Sequence, residues 1–246
     1  MRIVCGRYVT GRDPALLAQD LEAIDDTAGS WDGPRWNVAP TTSVPVLASP
    51  RGERRIRMMR WGLVPQWADP AAGSVLFNAR VETLLEKASF ASAARRRRAL
   101  VPMEAWYEWA GEGRDARPYA VRRPDAATFT VAGLWEYRRD PDAPGAPPLV
   151  SLAIVTTAAS GALREIHPRM PLVVAPDHRA AWLDCSTGDV PADVPAAADS
   201  AARALAPYRV SRRVGSIRHD DPSLLEPLGT GDDGEAHEAG DQLTLL

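Results

Sequence analysis

At 246 residues, 45% of them hydrophobic, the chain is long enough for one large domain or two small ones and for a sizeable core. No apolar run nears the roughly 18 residues of a membrane span, and no charged-then-apolar leader opens the sequence, so a soluble, cytoplasmic protein with no membrane association is expected. Cys5 and Cys185 are the only cysteines, which excludes a disulfide framework; no Cys-x-x-Cys or spaced His pair supports zinc, and neither metal nor cofactor is expected.

The formal charge of −3 is unevenly spread. Asp232, Asp233, Glu235, Glu238 and Asp241 lie in residues 230–246 without a single Lys or Arg, leaving 29 bases against 27 acids in residues 1–229. A basic groove for a polyanion is permitted, not required. Lys87 is the only lysine, and the Arg, Ala and Pro richness reflects GC-rich coding sequence. Arginine nonetheless suits phosphate, through its planar fork of donors.

Asp13-Pro14 opens a helix, with Asp13 as N-cap and Pro14 at the first helical position. Residues 25–35 read as a loop, Val44–Leu47 as a strand, and Arg54–Met59 alternates basic and apolar residues. Leu84, Leu85, Ala88 and Phe90 give Val81–Arg98 helical spacing, ending in the solvated run Arg95–Arg98. Strands follow at Leu100–Val101, Ala105–Trp109, Pro118–Arg122, Phe129–Tyr137 and Val150–Thr156, separated by Gly/Pro/Asp turns. Leu163–Ile166 reads as a helical turn, Leu172–Ala175 as a strand, His178–Leu183 and Ala196–Ala206 as helices, and Tyr208–Ile217 as a final strand. Strands outnumber helices without βαβ alternation, so the fold class is α+β with a mostly antiparallel core. From residue 229 onward the tail is acidic, Gly-rich and expected to be disordered.

Near the start stands Cys5-Gly6-Arg7-Tyr8. Were Cys5 the first residue, its α-amine and thiol would form a 1,2-aminothiol. The amine condenses with an aldehyde to an imine, and the thiol closes a five-membered thiazolidine. An α-amine titrates at about 7.7–8.0 and a thiol at about 8.5, so both react near neutrality. The second step is intramolecular and entropically cheap. On this segment alone, a small buried residue opening an edge strand is the favoured reading of Cys5.

Other segments change the balance: Trp36-Asn37-Val38-Ala39-Pro40-Thr41; Trp61-Gly62-Leu63-Val64-Pro65 with Trp67; Asn78-Ala79-Arg80-Val81-Glu82; Pro102 with Trp106-Tyr107-Glu108-Trp109; and His167-Pro168-Arg169-Met170-Pro171. With Cys5-Gly6-Arg7-Tyr8, their order and spacing resemble the SRAP proteins, named for the SOS-response-associated peptidase, which cap abasic sites in single-stranded DNA. The resemblance covers roughly residues 5–228 and extends to Asp221-Pro222-Ser223-Leu224-Leu225-Glu226-Pro227. It implies a single domain over residues 1–228 with a barrel-like β core and flanking helices, and residues 229–246 as the tail.

The resemblance also implies chemistry. The family's cysteine becomes N-terminal and forms a thiazolidine with the ring-opened abasic sugar, which places Cys5 as the nucleophile. Glu108, between Tyr107 and Trp109, reads alone as a strand carboxylate paired with an arginine; the resemblance makes it the group that shuttles protons during imine formation. His167 precedes a proline, which biases it toward an extended backbone; the resemblance promotes it from a satisfied loop histidine to a second acid/base group. Asn78 reads as a turn residue or as a ligand of the sugar hydroxyl or cysteine amine. Arg7 and Arg80 are expected on flanking phosphates, and Trp61 or Trp67, one of the pair, on bases. Pro40 and Asn37 are expected to shape the DNA-binding loop beside the cysteine.

The sequence departs from the family where Met1-Arg2-Ile3-Val4 precedes the cysteine, because an amide nitrogen cannot form the imine. Translation from Val4, through a GTG codon that initiates with methionine, or proteolytic removal of residues 1–4 would each free the amine; the first is the expectation. Gln242-Leu243-Thr244-Leu245-Leu246 resembles the short peptide by which bacterial proteins dock on the replicative sliding clamp, or is an arbitrary terminus. The resemblance also implies associated lyase, crosslink-reversal and autoproteolytic activity, and two other function classes stay open: an N-terminal cysteine hydrolase or peptidase, and a non-covalent single-stranded DNA binder. Nothing suggests more than a monomer.

Overall fold

The computed structural model describes residues 4–68, 75–140, 143 and 145–229. The acidic tail beyond residue 229 and its Gln242–Leu246 peptide lie outside the described residues.

In chain order the strands and α-helices are β1 (Arg7–Thr10), α1 (Pro14–Asp20), β2 (Ile24–Asp25), β3 (Arg35–Val38), β4 (Ser43–Ala48), β5 (Arg55–Trp61), β6 (Asn78–Arg80) and α2 (Ala88–Arg96). They continue as β7 (Arg98–Met103), β8 (Ala105–Ala110), β9 (Arg117–Arg122), β10 (Phe129–Arg138), β11 (Leu149–Ala158), β12 (Arg169–Pro171), β13 (Val173–Val174), α3 (Arg179–Leu183), α4 (Asp193–Ala202) and β14 (Ala206–Arg209). The fold is α+β, as the strand and helix pattern predicts.

Five strands close on themselves. β5, β4, β7, β10 and β11 pair antiparallel in that order, and β11 returns to β5 in parallel, with Ser151 opposite Arg60 and Leu152 opposite Trp61. This ring is the barrel, and closure leaves its strands no open edge. Gly133 of β10 lies where a Cβ would stand 3.1 Å from Val101 of β7, so glycine permits a close approach of the two strands. α1 lies against β2 and β5, α2 and α3 against β7, and α4 against β13. The Asp13 carboxylate caps α1 by accepting from Ala15 N–H at 2.8 Å.

The second sheet, in the order β14-β9-β8-β1-β3, packs one face on the barrel. Strand alternation sorts its residues cleanly. Tyr8, Trp106 and Val121 enter the main core, whereas Val9, Ala105, Tyr107 and Ala120 face the other way and are covered by Val210, Val214 and Leu224.

The helix expected over Val81–Arg98 is shorter. Val81–Thr83 forms a 3-10 turn, α2 begins at Ala88, and Arg98 already belongs to β7. The basic run is split accordingly. Arg95 and Arg96 end the helix in solvent, whereas Arg97 pairs with Glu136 and Arg98 is buried, donating to the carbonyls of Ala94, Trp182, Asp184 and Asp189. The final strand is also shorter than expected: β14 stops at Arg209, and Arg212–Gly215 is a 3-10 turn.

Candidate active site

β1 and β8 run antiparallel with Arg7 opposite Tyr107 and Tyr8 opposite Trp106. Glu108 lies two residues from Trp106 and therefore on the same face, toward the barrel. Cys5 enters β1 from this end, fully buried, in the left-handed region at φ 44°. That conformation costs a non-glycine residue on the order of 1–2 kcal/mol, so the surroundings must hold it.

They hold it through its peptide bond. The Cys5 N–H donates to Glu108 Oε2 at 3.1 Å, and the carbonyl of Val4, the other half of that peptide, accepts from Asn78 Nδ2. Glu108, 4% exposed, also accepts from Trp109 N–H at 3.4 Å. Burial, reinforced by the Glu108 charge, pushes the Cys5 thiol well above its ordinary range, so it rests as the neutral thiol.

Asn78 is delivered by β6, which pairs parallel with β11 so that Asn78 stands opposite Ile154. The residue before it, Phe77, is fixed by Trp61, whose indole Nε1–H donates to the Phe77 carbonyl at 2.9 Å. Tyr8, Trp61 and Phe77 stack edge to face with centroid separations of 5.1 and 6.1 Å, joining β1, β5 and the approach to β6. Gly62 then turns the chain at φ 127°, where a side chain would strike Val75.

His167 is buried at the end of a 3-10 turn, its N–H on the Leu163 carbonyl at 3.0 Å. Its Nδ1 lies 3.1 Å from Arg169 N–H and 3.0 Å from the Arg169 carbonyl. A bare Nδ1 accepts from the amide, and a protonated Nδ1 donates to the carbonyl. Nε2 is thereby able to hold or release a proton without costing Nδ1 its partner. Arg169 itself grips Glu82 with both Nη atoms, at 2.6 and 2.9 Å, and donates to the Thr156 carbonyl at 2.7 Å.

The remaining expected residues divide. Trp67 is 70% exposed, and Arg80 is exposed beside β11, opposite Thr156. Trp61 is fully buried in the core, so of the two tryptophans only Trp67 faces solvent. Arg7 is not on the surface. Its guanidinium donates to Asn37 Oδ1 at 2.9 Å and to the carbonyls of Val214 and Gly215 at 3.0 and 3.1 Å, because strand alternation points it away from Tyr8 and the barrel. Asn37 in turn donates to the carbonyls of Val214, Ser216 and His219, which makes the pair a buried knot holding the C-terminal segment. Pro40 is half-buried in the turn between β3 and β4, where Thr41 N–H meets the Trp61 carbonyl at 2.6 Å. Among the described residues no group of His, Cys, Asp and Glu is arranged to hold a metal, and no helix is long and apolar enough to cross a membrane.

Sequence reasoning gave no role to Glu82, Arg169 or Tyr8. Glu82 and Arg169 carry opposite charge in two of the quoted motifs, and that complementarity was the available signal. Tyr8 is fully buried, and its hydroxyl has no hydrogen-bond partner among the described residues.

The model of the SOS response associated peptidase (SRAP) family matches residues 4–217, a span containing every element of this site. The chain belongs to the SRAP family. Relatives include the abasic site processing protein YedK of Escherichia coli, 30% identical over 92% of this chain and 100% of its own length. YoqW of Bacillus subtilis, also an abasic site processing protein, is 30% identical over 78% of this chain and 86% of its own. A crystal structure of a protein from Bacteroides thetaiotaomicron has the same fold, with a TM-score of 0.78 at 21% identity, covering 91% of this SRAP chain and 100% of that one.

Proposed function

We propose that this SRAP protein processes abasic sites in single-stranded DNA by forming a covalent thiazolidine between Cys5 and the ring-opened sugar. The observation that carries the reading is the grip on the Val4–Cys5 peptide, with Glu108 on the nitrogen and Asn78 on the carbonyl. Once that nitrogen is a free amine, Glu108 stands beside the atom that attacks the aldehyde. The amine adds to the C1 aldehyde carbon, the carbinolamine loses water to give an imine, and the Cys5 sulfur adds to the imine carbon. Glu108 supplies the proton that leaves with the water and takes the proton of the thiol, which burial keeps neutral until then. Asn78 binds the sugar hydroxyl or orients the amine, and His167 Nε2 serves as second acid/base group on the sugar. Trp67 stacks on a base and Arg80 takes a flanking phosphate; their exposure supports both roles.

The same grip supports a route to the free amine. The Cys5 thiol passes its proton to Glu108 and its sulfur adds to the Val4 carbonyl carbon while Asn78 Nδ2–H stabilises the oxyanion. The Cys5 nitrogen leaves, protonated by Glu108, and water then hydrolyses the Val4 thioester, returning the thiol. The left-handed backbone at Cys5 favours the cleavage, since breaking the bond relaxes it. Initiation at Val4 followed by methionine removal reaches the same end. Docking on the sliding clamp through Gln242–Leu246 belongs to this reading too, and a clamp pulldown unaffected by deleting those residues removes it.

The test is intact mass of the protein produced from its native gene and from a gene forced to start at Met1, each before and after incubation with abasic single-stranded DNA. A mass beginning at Cys5, with a heat-stable adduct absent in Cys5→Ala, is expected. A forced-start protein that matures only with Glu108 intact identifies self-cleavage. Retention of residues 1–4 with no adduct in either protein overturns the thiazolidine reading. Salt-sensitive binding indifferent to the lesion and to Cys5→Ala would leave a non-covalent binder instead.

A further inference from the structure

Asn78 and His167 lie on separate segments that share β11 as scaffold. β6 places Asn78 opposite Ile154, and Arg169, two residues after His167, stands opposite Ala158. Backbone pairing ties each segment to β11, but no hydrogen-bonded ladder joins β6 to β12. A side chain links them directly. Arg169 reaches Glu82, four residues past Asn78, through both Nη atoms, and it also takes the Thr156 carbonyl of β11 itself. Its own backbone N–H and carbonyl flank Nδ1 of His167. One residue therefore holds the imidazole at its backbone and the Asn78 segment at its side chain. Burial opposes the charge of Glu82, but the Arg169 fork, with Arg80 also nearby, holds the carboxyl below the usual carboxylate range.

We propose that the Glu82–Arg169 ion pair is a positioning device, bolting the His167 segment to the Asn78 segment across the end of β11 so that both side chains meet one sugar at a fixed separation. This rests on the roles given above to His167 and Asn78. A lysine cannot replace Arg169, because the planar fork spans two carboxylate oxygens and a carbonyl at once. Side-chain exposures of 18% for Arg169 and 48% for Glu82 make the pair a poor candidate for a stability element.

The experiment compares wild type with Arg169→Lys, Glu82→Gln and, as a control ion pair elsewhere, Glu53→Gln, whose partner is Arg55. Two quantities are read: the imidazole nitrogen NMR signals of His167 in the DNA-free protein, assigned with His167→Gln, and the rate of Cys5-dependent adduct formation on an abasic oligonucleotide. Both clamp variants are expected to shift the His167 signals and slow adduct formation about tenfold, the lower range for loss of an orienting partner. Melting temperature and affinity for undamaged single strands stay unchanged, and Glu53→Gln changes nothing. Wild-type His167 signals in both clamp variants overturn the proposal. So does a loss in Arg169→Lys alone that appears equally as weaker binding to undamaged DNA, because Arg169 would then be a phosphate contact. Should wild type itself form no adduct, the function proposed above fails, and the His167 signals still decide the clamp.

Discussion

Cys5 sits where a thiol is least able to ionise, enclosed by protein and beside the Glu108 carboxylate. Its proton is held more tightly in the folded chain than in the unfolded one. The stability this contributes is complete below the unfolded thiol value, about 8.5, and is lost as pH rises beyond it. Iodoacetamide at pH 8 is therefore expected to label Cys185, half-buried, well before Cys5, and unfolding in urea should equalise the two. Equal rates in the native protein would contradict the burial of Cys5. Tyr8 offers a second test at this scale. Removing a buried hydroxyl that has no partner among the described residues spares its desolvation cost, so Tyr8→Phe should raise the unfolding free energy by about 1 kcal/mol without slowing adduct formation. Chemical denaturation measures the first quantity and gel shift of the crosslink the second. The chemistry of Cys5 was legible in the sequence because the 1,2-aminothiol argument needs only residue type. The grip on its peptide was not, since Asn78 and Glu108 meet it from distant parts of the chain.

At the scale of the element, direction decides role. Arg7 adjoins Tyr8 in sequence, yet the period of two in β1 sends it to the face opposite Tyr8, into carbonyls of the C-terminal segment. The alternation itself was visible in the sequence; which face met the barrel depended on β8 and β3 as neighbours. Substituting Asn37 by Ala takes one acceptor from Arg7, which keeps the Val214 and Gly215 carbonyls, and removes the donor to the carbonyls of Ser216 and His219; it should cost about 1–3 kcal/mol of stability, read from urea unfolding. Arg80 should behave in the opposite way. Arg80→Gln is expected to leave stability within about 0.5 kcal/mol. It should also lower the salt slope of single-strand binding by about 0.7, as for one phosphate contact. A slope unchanged in this variant would remove Arg80 from the DNA path. The helix expected from Val81 failed for a local reason. Leu84 and Leu85 continue the helical period into a segment where a 3-10 turn and then the extended Lys87 hand Glu82 to Arg169. Periodicity registers apolar spacing and is blind to such a polar tie.

For the whole molecule, the mostly antiparallel α+β class followed from strand spacing, whereas the parallel return of β11 to β5 had no local signature, because it joins segments about ninety residues apart. Charge is the other property of the whole chain. Deleting residues 230–246 changes the formal charge from −3 to about +2 and should tighten single-strand binding at low salt, an effect that fades as salt screens it. Titrations at two ionic strengths check this, and equal affinities at low salt would show that the tail does not repel DNA. The buried knot of Arg7 has a consequence for synthesis. Its partner Gly215 lies 208 residues downstream, and the Cys5–Glu108 contact spans 103. At about 5–20 residues per second, the first strand waits on the order of 10–40 seconds for its last neighbour to be made. On the self-cleavage route Cys5 stays capped by Val4 throughout that interval, so a stalled or truncated chain never exposes an aldehyde-reactive terminus, and completion of the fold licenses the reagent.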